Sequence, residues 1–109
     1  MKAITTLGPS PEHPEGILQD TSIPFPPLPG PHDLRVRVEA VAVNPVDLKV
    51  RSTLAPGAPP QVLGWDAAGE VEAIGDAVQK FRLGDGVMFA GAIHRSGCQA
   101  ESVLVDARL

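Results

Sequence analysis

Cysteine is almost missing from this sequence. Cys98 stands alone among 109 residues, so no disulfide can close within the chain. That scarcity suits a reducing, cytoplasmic setting better than a secreted one. No apolar run approaches the ~20 residues that cross a bilayer. No charged-then-apolar leader opens the sequence, so no secretion signal is read. Basic residues are in deficit, with a formal net charge of −4. Nucleic acid and anionic membrane surfaces both select basic patches, so neither is an expected partner. There is no repeat and no low-complexity tract. No Gly-x-Gly-x-x-Gly occurs, and so no dinucleotide-binding βαβ unit is expected within residues 1–109.

Proline and glycine are abundant instead, at 12 and 11 residues. Such a chain cannot sustain long helices. It suits short strands joined by many turns, and 43% hydrophobic content suffices for one globular domain. Residues 1–6 and 17–23 read as two strands of a hairpin broken by Gly8-Pro9-Ser10-Pro11. Residues 24–31 are proline-dense and read as an extended, rigid connector. Leu34 to Val43 is the clearest strand, with Leu34, Val36, Val38, Ala40 and Ala42 alternating against Arg35, Arg37 and Glu39. Val41 and Val43 make its second face apolar, which predicts a strand buried on both sides at its end.

Asn44-Pro45 stops that strand. Asn44 suits an N-cap and Pro45 the first helical position, so a short helix is expected over residues 45–51. Gly64, Ala67, Ala68, Gly69 and Gly75 mark a strand where two backbones approach closely. Gly84-Asp85-Gly86 is a turn, Val87 and Phe89 begin the next strand, and residues 99–105 alternate as another.

Two segments carry candidate chemistry. In Asn44-Pro45-Val46-Asp47-Leu48-Lys49, Asn44 and Asp47 would share one helix face. Lys49 can place a cation beside a polarised carbonyl. The plainer reading is a cap, a carboxylate favouring the helix start and a solvated lysine. In Trp65-Asp66, tryptophan offers only an N–H donor and no lone pair for a metal. Trp65 can wall an apolar pocket or sit in the core, and Asp66 can hold a neighbouring loop or pair with Arg51. His94 and Cys98 have a spacing found in some metal sites but lack helpers, so Cys98 reads as a small buried side chain. Arg35 and Arg37 read as a solvated strand face. His13 and His32 are given no role.

Gly64, Gly69, Val71, Gly75, Gly84, Asp85 and Val87 together resemble the signature of the medium-chain dehydrogenase/reductases. The resemblance implies a mainly β fold: a GroES-like partial β-barrel with one or two short helices. It implies that residues 1–109 are an N-terminal fragment whose nucleotide-binding domain lies outside this chain. Unpaired strand edges would then invite homo-oligomer formation.

That signature normally has histidine at the position of Trp65, and its zinc enzymes have cysteine at that of Asn44. The two replacements imply a zinc-independent oxidoreductase, close to the quinone oxidoreductase and zinc-type alcohol dehydrogenase-like group. NADPH, bound mainly by the missing domain, would reduce a quinone or an enone. Asn44, Asp47, Lys49, Trp65 and Asp66 are the expected substrate- or cofactor-binding residues; none is read as a proton donor, and no metal ligand is expected. Two alternatives stand beside this reading. One is a stand-alone GroES-like module for oligomerisation or partner binding, without activity. The other is a zinc-dependent alcohol dehydrogenase.

Overall fold

A computed structural model describes residues 1–109. Seven strands and one helix follow in the order β1 (Lys2–Leu7), β2 (Ile17–Ser22), β3 (Asp33–Val41), α1 (Pro45–Ser52), β4 (Gln61–Val62), β5 (Asp66–Ile74), β6 (Gly86–Ala90) and β7 (Ser102–Asp106). One sheet runs β2-β1-β4 and the other β6-β5-β3-β7. Every pairing is antiparallel. The fold is mainly β, as expected, and the hairpin of β1 and β2 is present. No helix is long and apolar enough to cross a membrane.

The segment before β7 stitches the two sheets together. Ile4 donates to the Gln99 carbonyl at 2.9 Å, Glu101 donates to the Lys2 carbonyl at 3.1 Å, and Val38 donates to the Glu101 carbonyl at 2.9 Å. The core lies on one face of the larger sheet and comprises Leu34, Val36, Ala67, Val71, Cys98, Val103 and Val105. Strand periodicity explains its membership. Leu34 and Val36 point inward from β3, and Ala67, Gly69 and Val71 from β5.

Gly69 is required by close approach rather than by backbone angle. A Cβ there would run into the Arg37 carbonyl and lie 2.8 Å from Val36 Cγ1. Gly84 is required by its angle, a φ of +87° in the turn before β6. The opposite face of the sheet is polar. Arg35 meets Glu72 at 3.1 Å, with its guanidinium carbon 4.7 Å from the Phe25 ring centre. Arg37 lies between Glu39 and Glu70.

One expectation is corrected. The end of β3 is not buried on both sides: Val41 is 44% and Val43 is 72% exposed. Burial is deepest at the start of the strand. There β3 is flanked by β5 and β7 together; β7 pairs only as far as Arg37. Beyond that point one neighbour is lost, and the apolar end of β3 faces an open groove.

Candidate functional site

The end of β3, the start of α1 and the start of β5 converge on one corner. Asn44 is extended, with φ −127° and ψ 162°, and Pro45 begins the helix with its fixed φ and missing N–H. Asp47, one turn in, is 3% exposed. Its Oδ2 accepts from the Asn44 backbone N–H at 3.0 Å, and its own N–H donates to the Asn44 carbonyl at 3.0 Å. This reciprocal closure fixes the helix entry. The Asn44 side chain turns toward β5, where its amide donates to Asp66 Oδ2 at 2.9 Å. The adjacent backbone is held too, since Ala42 donates to the Asp66 carbonyl at 2.9 Å.

Asp66 is exposed and forms the polar end of an open groove of about 460 Å³. Residues 40–42, 66–68 and 88–90 line it, and Asp66 is the single charged residue among them. An apolar trough with a few placed polar groups is the usual form of a small-molecule site.

Asn44, Asp47 and Asp66 are therefore brought together. Trp65 is adjacent in sequence but sits on the other side of the backbone. It is 7% exposed, and its indole N–H donates to the Arg95 carbonyl at 3.3 Å. A Cβ at Gly91 would lie 3.0 Å from Trp65 Cδ1, so glycine there lets the loop close over the ring. Lys49 is exposed on α1, and its ammonium makes no hydrogen bond or ion pair. Asp66 does not pair with Arg51, which instead donates to the Gly16 carbonyl at 3.4 Å.

Sequence reasoning gave Arg95 no role. It makes a two-pronged bond to Asp33, at 3.1 and 2.8 Å, that holds the loop beneath Trp65. Its guanidinium pKa is raised, chiefly by that hydrogen bond. A partner 62 residues away leaves no local signal.

A zinc site does not fit these residues. Asn44 supplies an amide and Trp65 an indole N–H, neither of which is a thiolate, imidazole or carboxylate donor. No three His, Cys, Asp or Glu side chains are grouped to hold a metal. His94 is exposed while Cys98 is 1% exposed, packed where Gly64 and the Asp66 carbonyl meet it. Burial pushes the Cys98 thiol pKa up.

Two antiparallel sheets, one short helix entered through Asn-Pro and a glycine-bearing central strand define the GroES-like half of a medium-chain dehydrogenase/reductase. The alcohol dehydrogenase GroES-like domain matches residues 30–109, and the chain belongs to that family. It is 47% identical over 80 residues to a zinc-type alcohol dehydrogenase-like protein of Staphylococcus aureus, covering 73% of this chain and 24% of that one. It is 45% identical over 83 residues to a quinone oxidoreductase of Pseudomonas aeruginosa, covering 71% of this chain and 25% of the other. Among solved structures, the Escherichia coli quinone oxidoreductase complexed with NADPH superposes with a TM-score of 0.77 at 26% identity. That match covers 98% of this chain and 31% of the other. The chain thus spans about a quarter of the length of these curated relatives.

Proposed function

We propose that this chain is the substrate-side domain of a zinc-independent, NADPH-dependent oxidoreductase that reduces a quinone or an α,β-unsaturated carbonyl. The observation that carries the reading is the Asn44–Asp66 hydrogen bond at the end of an apolar groove, formed by residues that lack zinc-ligand chemistry. The quinone oxidoreductase relatives support the reaction class, and the NADPH in one solved neighbour supports the cofactor.

On this reading the nucleotide-binding domain and the cofactor lie outside residues 1–109. NADPH, held by that domain, would supply the hydride, and solvent would supply the proton, which ends on oxygen for a quinone and on the α-carbon for an enone. The chain's own part is to orient: Asn44 and Asp66 present fixed polar groups, and the apolar lining of the groove gives an apolar ring a surface to lie on. Asp47 holds Asn44 and Trp65 supports β5 from beneath, while Lys49 stays on the solvent side of α1. A soluble cytoplasmic homo-oligomer completes the proposal.

The exposed apolar end of β3 and Met88, 86% exposed, favour a second reading as a partner-binding module without activity. The test is NADPH oxidation by the purified full-length protein with a quinone and with an enone as acceptors. Acceptor-dependent oxidation supports the enzyme. No oxidation with either acceptor, in a folded protein that binds NADPH, contradicts it.

A further inference from the structure

The outer face of the larger sheet changes character at Glu39. Up to Arg37 it carries charge, and Arg37 stands opposite Glu70. The register then shifts, with Glu39 as the extra residue, so Ala40 comes opposite Ala68. Ala68 in turn stands opposite Met88 on β6. Cross-strand partners share a face, so Ala40, Ala68 and Met88 form one row on the side away from the core. Phe89, next along β6, packs against the core instead. Met88 is thus the one long side chain in a row whose other members are methyl groups.

Nothing holds that side chain down. Its neighbours on the same face of β6 are Gly86 and Ala90, and a Cβ at Gly86 would meet nothing within 4 Å. β6 is an edge strand, so no further strand lies beyond it. Met88 is the most exposed of the large apolar residues, yet it lines the groove that ends at Asp66.

We propose that Met88 is a specificity-determining residue of this groove, selecting acceptors that carry an aromatic ring; this rests on the reading above that the groove takes the acceptor. A flat ring lies on Ala40 and Ala68, and Met88 stands beside it as a side wall. The unbranched thioether follows the edge of the ring, where sulfur makes a favourable contact with an aromatic system. The face of the ring away from the sheet stays open to the incoming hydride. An acceptor without an aromatic ring gains only the alanine floor.

The test uses the full-length protein, with naphthoquinone as the aromatic acceptor and cyclohexenone as the one without an aromatic ring. Isotope-labelled methionine methyl groups are read by NMR, and the signal lost in Met88→Leu identifies Met88. Without NADPH, so that nothing turns over, naphthoquinone should shift the Met88 methyl signal. Cyclohexenone should leave it in place. In steady-state assays Met88→Ala should raise KM for naphthoquinone about two- to tenfold, with kcat unchanged. KM for cyclohexenone should stay within about twofold of wild type. Met88→Leu keeps apolar bulk without sulfur and should fall between wild type and Met88→Ala. If cyclohexenone is not reduced, the methyl shifts decide. An equal rise in both KM values overturns the proposal. Reduction of naphthoquinone with an unmoved Met88 signal also overturns it and leaves the reaction standing. A shifted Met88 signal with no reduction of either acceptor would instead contradict the reaction and keep the contact at Met88.

Discussion

The side-chain amide of Asn44 donates to the carboxylate of Asp66 at 2.9 Å, across 22 residues of sequence. The bond ties the first turn of α1 to the first residue of β5. It also puts the only charged residue of the groove under the control of a neutral one. Substitutions at this pair separate local helix effects from the tertiary contact.

Asparagine and aspartate cap helices about equally well. Asn44→Asp should therefore leave the helix entry intact while setting two carboxylates against each other. A loss of about 1 kcal/mol or more is expected in urea denaturation at neutral pH. Adding Asp66→Asn should recover most of it. Equal stability of Asn44→Asp and wild type would mean that the bond is not made in solution.

Much of the architecture was legible locally. The alternation of Leu34, Val36 and Val38 marked β3, and Asn44-Pro45 marked the helix entry within a residue or two. The closely approached strand face around Gly69 was also readable, because a glycine inside an alternating pattern usually means that a second backbone lies against it. The exposed end of β3 was not legible: apolar residues on both faces read as burial, but burial requires neighbours, and β7 stops at Arg37. The site was half legible. Spacing put Asn44 and Asp47 on one helix face, but the bond from Asn44 to Asp66 and the seclusion of Asp47 depend on packing that no spacing encodes. Trp65 stood open between pocket wall and core, and strand alternation turned its ring away from Asp66.

Two glycines one register apart in the β5–β6 pairing should respond differently to alanine. Gly69→Ala forces a Cβ against the Arg37 carbonyl and should cost about 1–3 kcal/mol. Gly86 has nothing within 4 Å of its Cβ position and no left-handed φ, so Gly86→Ala should stay within about 0.5 kcal/mol. Chemical denaturation of both variants checks the contrast.

Cys98 gives a pH dependence with a definite sign. Burial raises its pKa above the ordinary 9.0, with the nearby Asp47 and Asp66 charges adding to the shift. The folded state therefore holds its thiol proton where the unfolded state releases it. This contribution is full below pH 9 and is lost as pH rises through the folded value. Cys98→Ala should flatten the fall in stability as pH rises above the ordinary thiol value of 9.0, measured by urea denaturation. The native thiol should also resist alkylation until the protein unfolds.

Trp65 is the one tryptophan, so its emission reports on the floor of the site without labelling. Burial predicts blue-shifted emission that moves red on unfolding. Trp65→Ala should cost about 3–5 kcal/mol. Trp65→Phe, which loses mainly the bond to the Arg95 carbonyl, should cost less. Thermal and urea unfolding of the pair give the ranking.

The function proposed above is a reduction that needs no zinc. The most direct measurement is NADPH-dependent quinone reduction by the full-length protein before and after exhaustive chelation, with bound metal determined on the same samples. The account predicts full activity after chelation and no stoichiometric zinc at the Asn44–Trp65 corner. Activity that disappears with the chelator and returns with added zinc would contradict it.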